Sequence, residues 1–246
     1  MRHAEVTLDD KFLLTEGRVF ITGVQALLRV MIDQHRLDKA AGLKTAGFVS
    51  GYRGSPLGGL DQQAHRAAKF LQEAEVVFKE GLNEDLAATA VWGSQQANLF
   101  PGARYDGVTG MWYGKAPGVD RTGDAFKHAN FAGTWPKGGV LAVAGDDHTC
   151  KSSTLPSQSE YAFQDFEMPV LSPADVQEVL DYGLMGIAMS RFSGLWVGLI
   201  ALADTMDSGA TIDVSIGRHR PVSPSNFQIP AGGLGIRLKD QPLEKE

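Results

Sequence analysis

The sequence predicts an α/β fold, a doubly wound and mainly parallel sheet with helices on both faces. Short β-like runs alternate with longer helical patterns along the 246 residues, and strands that are separated by helices pair in parallel through crossover connections. Residues 197–203 are almost uniformly apolar, which is typical of a central strand buried on both faces. A Gly-rich turn at 51–59 follows a strand-like run, at the position where such sheets bind ligands.

The individual elements follow from hydrophobic periodicity and from helix-capping residues. We expect helices at residues 23–39, 60–74, 84–97, 123–133 and 174–191. We expect strands at residues 45–50, 75–79, 107–113, 139–144, 169–171 and 195–203. Residues 1–217 are therefore predicted to form one α/β domain. Residues 218–246 contain four prolines and a charged end without apolar periodicity, which predicts a linker or a C-terminal arm toward a further domain.

Composition excludes several classes of protein. Hydrophobic residues make up 43% and charged residues 21% of the chain, which is typical of a globular domain. The net charge of −6 provides no basic surface, so we expect no nucleic-acid partner. Cys150 is the only cysteine, too few for a disulfide framework or an iron–sulfur cluster. The polar N-terminus does not resemble a signal peptide, and no apolar run has the ~20 residues of a membrane span. These features predict a cytoplasmic protein.

The turn at 51–59 has two interpretations. It contains neither a dinucleotide fingerprint nor a phosphate-binding loop of the G-x-x-x-x-G-K-[ST] type. It could be a strand-to-helix turn that uses glycine for its backbone angles. It could also line a ligand site, in which the guanidinium of Arg53 would bind a carboxylate and Ser55 would offer a hydroxyl.

Glu84 also has two interpretations. Asn83 can cap the following helix, and acidic residues in a first turn are favoured by the helix dipole. Alternatively, Glu84 projects a carboxyl into an apolar cleft at the top of the sheet, where it could share a proton with a ligand nitrogen.

Two further segments follow strands. Residues 114–124 combine glycines, a proline and charges, and could form either a solvated loop or a loop that lines a cleft. Asp146, Asp147 and His148 lie too close together in sequence to surround a metal ion without a ligand from elsewhere. We therefore predict no metal site on this chain.

Three segments carry a resemblance to a known family: residues 17–27, 45–59 and 83–95. Residues 115–123 and 145–160 extend the match, which runs from about residue 7 to the end. In this order the segments resemble the N-terminal part of the fused indolepyruvate:ferredoxin oxidoreductases of bacteria, within the 2-oxoacid:ferredoxin oxidoreductase family.

The resemblance implies a pyrimidine-binding domain of the thiamine-diphosphate superfamily. Glu84 matches the glutamate that hydrogen-bonds the cofactor's aminopyrimidine, and Gly54 and Ser55 match cofactor-binding positions. Ser55 also matches a residue that contacts the substrate, whereas Arg53 and Arg121 are candidates for the substrate carboxylate by their chemistry. The implied activity is oxidative decarboxylation of aryl 2-oxo acids such as indolepyruvate, which yields acyl-coenzyme A and reduced ferredoxin.

The chain departs from the family at the Mg²⁺ and diphosphate site. At residues 145–147 the family's Gly-Asp-Gly motif lacks its last glycine, and no asparagine occurs between Asn130 and Asn226. We therefore expect Mg²⁺ and the iron–sulfur clusters on other parts, and this chain to be a fragment or split subunit that pairs with a diphosphate-binding domain, as a dimer. Two alternatives stay open, a non-catalytic assembly domain and an unrelated α/β nucleotide- or coenzyme-binding module. The sequence does not identify the 2-oxo acid.

Overall fold

A computed structural model describes residues 6–151, 155–218, 221–222 and 224–228. Ten α-helices and eight strands occur within these ranges. In chain order they are α1 (Asp10–Leu13), β1 (Arg18–Thr22), α2 (Gly23–Ala40), β2 (Thr45–Gly51), α3 (Leu60–Arg66), α4 (Ala68–Glu73), β3 (Val76–Glu80), α5 (Glu84–Gln96), β4 (Gly107–Lys115), α6 (Ala116–Arg121), α7 (Gly123–Ala132), β5 (Val140–Asp146), α8 (Glu160–Asp165), β6 (Val170–Leu171), α9 (Val176–Ser193), β7 (Val197–Leu202), α10 (Ala203–Asp207) and β8 (Gly209–Asp213).

The predicted fold class is confirmed. Six strands form one parallel sheet in the order β3-β2-β4-β5-β7-β6. The strand β7 lies inside this sheet and is buried on both faces, as its apolar sequence predicted. A separate antiparallel ribbon pairs β1 with β8, with Arg18 opposite Asp213. The sequence did not predict this ribbon, because its two strands are far apart in the chain and neither has a strong pattern of its own.

The sheet is covered on both faces, since successive side chains of a strand point to opposite sides. Met111 and Tyr113 of β4 pack into one core, together with α2, α3, α4 and α9. Trp112, which lies between them, packs into a second core with α5, α6, α7 and α8. The helices are therefore distributed over the two faces as in a doubly wound domain.

The helix start predicted at residue 84 is confirmed, whereas the helix predicted from residue 174 begins at Val176. Asn83 Oδ1 accepts a hydrogen bond from the Leu86 amide at 2.8 Å, and Asp175 Oδ1 accepts one from the Glu178 amide at 2.9 Å. The helix predicted at 60–74 is instead two shorter helices that meet at Ala67, although backbone hydrogen bonds continue on both sides of it. The prediction of a loop at residues 114–124 is wrong, because most of this segment lies in α6 and α7.

Most of the predicted C-terminal arm, residues 218–246, lies outside the described residues. Those that are described at 221–222 and 224–228 are exposed. The boundary at residue 217 therefore stays a prediction. In the described part of the chain, none of the helices is long and apolar enough to cross a membrane.

Candidate functional site

The strand order creates a crevice between the carboxyl ends of β2 and β4. The chain leaves β2 through α3 and α4 on one face and reaches β3 on one side of β2. It leaves β4 through α6 and α7 on the opposite face and reaches β5 on the other side. Neighbouring strands whose connections diverge in this way form a topological switch point, which is where open α/β sheets bind ligands.

The turn at 51–59 forms one wall of this crevice and is held at its base by β4. The amide of Tyr52 donates to the carbonyl oxygen of Tyr113 at 3.0 Å. A Cβ atom at Gly51 would lie 2.1 Å from the same carbonyl oxygen, and one at Gly54 would lie 2.9 Å from Cδ of Lys115. None of the glycines in the turn has a positive φ. The interpretation that the turn needs glycine for its backbone angles is therefore wrong, and at Gly51 the close approach of the Tyr113 carbonyl oxygen is what excludes a side chain.

A buried pair anchors the helix that follows the turn. The Tyr113 hydroxyl donates a hydrogen bond to the Asp61 carboxylate in the first turn of α3. Burial raises the pKa of Asp61, which the hydrogen bond from Tyr113 partly opposes. Burial together with the Asp61 carboxylate also raises the pKa of Tyr113. The positive charge of Arg53 opposes both pKa shifts, so its guanidinium acts on this pair from the exposed turn.

Glu84 lies at the first position of α5, just beyond the end of β3. The residue is 6% exposed, and its carbonyl oxygen accepts a hydrogen bond from the Trp112 indole Nε1 at 3.0 Å. Its side chain lies against Gly118 of α6, where an added Cβ would be 2.6 Å from Glu84 Cγ and 2.9 Å from Oε1. Among the described residues, no group hydrogen-bonds to the Glu84 carboxyl. Neither carboxyl oxygen belongs to the buried polar atoms that lack a partner, so the group reaches solvent and is open to a ligand.

The start of α5 and the turn at 51–59 belong to the same edge of the sheet. The amide of Gly81, which follows β3, donates to the carbonyl oxygen of Gly51 at 2.9 Å. On the other side, Gly145 at the end of β5 packs against the turn, since a Cβ there would be 2.9 Å from Pro56 Cδ. Glu84 and the turn are thus joined through the ends of neighbouring strands.

Comparison with known proteins points to one family. No family model matches the sequence. The indolepyruvate oxidoreductase subunit IorA of Methanothermobacter marburgensis is 24% identical over 176 residues, which cover 71% of this chain and 25% of that protein. The structure is similar to that of 2-oxoglutarate:ferredoxin oxidoreductase from Magnetococcus marinus with 2-oxoglutarate, coenzyme A and succinyl-CoA bound. The TM-score is 0.58 at 16% identity, over 80% of this chain and 31% of that one. The chain is thus similar in sequence to an indolepyruvate oxidoreductase subunit and in fold to a 2-oxoacid:ferredoxin oxidoreductase.

This relationship confirms the family resemblance of the sequence but covers only part of its members. The chain spans about a quarter of the curated relative and about a third of the solved structure's chain. The activity, substrates and partners of those longer proteins are therefore a matter of proposal for this chain.

The predicted site residues differ in their surroundings. Arg53 and Ser55 are exposed on the turn, and Gly54 is half-buried. Arg121 forms an ion pair with Asp85, with Nε 3.1 Å from Oδ2, and about half of its side chain is exposed. Nothing described here tests the roles of these four residues or of Glu84, which stay predictions.

The structure also brings together residues that the sequence analysis missed. Trp112 and Gly118 both contact Glu84 from β4 and α6. The sequence did carry one signal, because Pro117 after a strand is typical of the first turn of a helix rather than of a loop. Recognising α6 would have indicated that Gly118 packs inward against a neighbouring helix.

The carboxylate of Glu160 lies close to Asp146 and His148 at the end of β5. Asp146, His148 and Glu160 offer possible ligand atoms that all lie within 4.8 Å of one another. The sequence analysis required a metal ligand from another part of the chain, and Glu160 is such a residue. The sequence did not indicate Glu160, because this residue begins a separate helix, α8. Both oxygens of Asp146 already accept hydrogen bonds from Ser159, at 2.8 Å from its amide and 2.7 Å from its hydroxyl. Burial raises the pKa of Asp146.

Proposed function

We propose that the chain is the pyrimidine-binding part of a thiamine-diphosphate-dependent 2-oxoacid:ferredoxin oxidoreductase, with Glu84 as the carboxyl that hydrogen-bonds the cofactor's aminopyrimidine. The observation that carries the proposal is the position of Glu84, a residue only 6% exposed whose carboxyl has no hydrogen-bond partner among the described residues, beside the switch point of a parallel sheet. The relationship to the oxidoreductase family supports the same assignment.

The residues present fit the aminopyrimidine end of this cofactor. A ring nitrogen requires one hydrogen-bonding group in largely apolar surroundings, and Glu84 offers it beside Trp112 and against Gly118. The diphosphate end requires Mg²⁺ and its ligands, which we assign to a partner domain. When bound, thiamine diphosphate supplies an electron sink for the decarboxylation of a 2-oxo acid.

The chain's own residues would bind and orient the reactants. Glu84 would hydrogen-bond the ring nitrogen of the cofactor through its carboxyl, which has no hydrogen-bond partner among the described residues. Arg53 binds the carboxylate of the 2-oxo acid, with Arg121 as a second cation once it leaves Asp85. Ser55 donates a hydroxyl hydrogen bond to the substrate, and Gly54 contributes its backbone to the cofactor site.

We further propose that the substrates are aryl 2-oxo acids such as indolepyruvate, with coenzyme A as acyl acceptor and ferredoxin as electron acceptor. The similarity to an indolepyruvate oxidoreductase subunit supports this choice. The iron–sulfur clusters would belong to other parts of the assembly, which we expect to be dimeric.

The test is Glu84→Gln in the enzyme assembled from this chain, a diphosphate-binding partner, Mg²⁺ and thiamine diphosphate. The amide retains the size of the side chain but cannot share the proton. We expect 2-oxo-acid-dependent ferredoxin reduction to fall roughly 10²-fold or more, with indolepyruvate preferred over 2-oxoglutarate as substrate.

The matched control is Asp124→Asn, which makes the same exchange of acid for amide at the exposed start of α7. It should leave the rate within about twofold of the parent. Equal rates for Glu84→Gln and the parent enzyme would show that Glu84 is only a helix-start acid and that the chain has an assembly role. Binding of adenine nucleotides in place of thiamine diphosphate would instead favour an unrelated coenzyme-binding module.

A further inference from the structure

We propose that Gly118 is a positioning residue for Glu84: the missing side chain at 118 provides the space in which the Glu84 carboxyl lies. This inference rests on the proposed function, because it concerns the orientation of the group that would meet the cofactor. It extends the candidate site from the start of α5 to the face of α6.

The contact is too close for any other residue at position 118. Gly118 is buried, and an added Cβ would lie 2.6 Å from Cγ, 2.9 Å from Oε1 and 3.1 Å from Cδ of Glu84. Real Cβ atoms do not approach other heavy atoms this closely. A displacement of the terminal oxygens alone would not relieve the overlap, because Cγ is the nearest atom. Alanine at 118 must therefore move the whole carboxyl group.

Backbone conformation does not explain the glycine. Gly118 lies within α6 and has no positive φ, so any L-residue could adopt its conformation. In a helix, alanine is favoured over glycine by its lower conformational entropy in the unfolded chain. The position therefore uses a residue that disfavours the helix, and the only side chain that an added Cβ would meet among its three nearest atoms is that of Glu84.

Other contacts restrict the movement of Glu84 away from α6. Its carbonyl oxygen accepts from Trp112 at 3.0 Å, which fixes the backbone of the first turn of α5 to β4. The next residue, Asp85, pairs with Arg121 at 3.1 Å and accepts from the Thr122 hydroxyl at 3.4 Å. These contacts hold the start of α5 against β4, α6 and α7, so we expect Glu84 to respond to a side chain at 118 by rotating its own side chain.

The first experiment measures unfolding of the full chain in urea. Gly118→Ala should lower the urea midpoint in the parent chain but leave it unchanged or raise it in the Glu84→Ala background, where the overlapping atoms are gone. Gly93→Ala is the matched control, because Gly93 lies on the exposed side of α5 and an added Cβ meets nothing within 4 Å. A midpoint that falls equally in both backgrounds would show that residue 118 contacts something other than Glu84, and would overturn the inference.

The second experiment measures thiamine diphosphate affinity and steady-state kinetics of the assembled enzyme. Gly118→Ala should weaken cofactor affinity roughly tenfold to a hundredfold, as misplacement of a positioned group by about 1 Å does. At saturating cofactor it should lower kcat while changing KM for the 2-oxo acid by less than about twofold. Gly93→Ala should change neither. Unchanged affinity and kcat in Gly118→Ala would overturn the inference and leave the proposed function intact. If the parent enzyme binds no thiamine diphosphate, the proposed function fails and the inference fails with it.

Discussion

The α-carbon of Gly51 lies against the carbonyl oxygen of Tyr113, so closely that an added Cβ would be 2.1 Å from that oxygen. This contact holds the first residue of the turn at 51–59 against β4 and explains why the strand ends in glycine without a positive φ. It also locates the turn beside the crevice between β2 and β4.

Gly51→Ala should therefore destabilise the chain by roughly 1–3 kcal/mol, because backbone atoms must move to admit the methyl group. Gly59→Ala, in the same turn, should be nearly neutral, since an added Cβ there meets nothing within 4 Å. The free energy of unfolding from urea titration measures both. Equal effects of the two variants would contradict the close approach described here.

The ion pair between Arg191 and Asp38 should contribute more to stability than an exposed ion pair does. Two nitrogens of Arg191 lie 2.6 and 2.7 Å from the two carboxylate oxygens, and the Asp38 side chain is only 4% exposed. Arg191→Met leaves that carboxylate buried and unpaired, which should cost about 3–5 kcal/mol of unfolding free energy. Lys127→Met removes an exposed pair with Asp165 and should cost less than about 1 kcal/mol. Calorimetry of both variants would test the contrast, which fails if the two losses are similar.

The cap of α5 should be replaceable by another side chain that accepts the same hydrogen bond. Asn83→Ala removes the acceptor for the Leu86 amide and should cost about 1 kcal/mol of unfolding free energy. Asn83→Asp keeps an acceptor and adds a charge that the helix dipole favours, so it should retain most of the stability. If Asn83→Asp lowered the free energy of unfolding as much as Asn83→Ala does, capping would not be the role of Asn83.

Asp146 should make stability depend on pH with a definite sign. Burial raises the pKa of Asp146 above its ordinary value of 3.8, so its favourable contribution is complete below that pH and is lost as the pH rises through the folded-state pKa. Asp146→Asn removes the titration and should flatten the decline of unfolding free energy above pH 3.8. Urea titrations of parent and variant at several pH values would measure the difference. Parallel pH profiles would mean that Asp146 titrates equally in the folded and unfolded chain.

Arg53 should affect substrate binding without affecting stability. The side chain is exposed, so Arg53→Gln should change the unfolding free energy by less than about 0.5 kcal/mol. If its guanidinium binds the substrate carboxylate, the loss of a charged hydrogen bond should raise KM for the 2-oxo acid roughly ten- to a hundredfold. Arg66→Gln, at the exposed end of α3, provides the control. An unchanged KM would remove Arg53 from the substrate site.

The elements were predicted best where the local sequence carries their signal. Asn83 and Asp175 mark helix starts because a cap acts within three residues, and the apolar run of β7 reports burial on both faces. The ribbon of β1 and β8 was missed because it depends on pairing between distant segments. The helix α6 was missed because glycines and charges concealed a start that Pro117 could have indicated.

The sequence by itself determined the α/β class, most element positions, the family resemblance and the choice of Glu84, because these follow from local composition and from ordered motifs. Only the tertiary structure decided what surrounds Glu84. Its contacts with Trp112 and Gly118 depend on β3 and β4 flanking β2 and on α5 and α6 packing on the same face. The same holds for the glycines of the turn and for the approach of Glu160 to Asp146 and His148. Such relationships arise when separate strands end at one edge of a sheet, and local sequence patterns do not encode distances between separate elements.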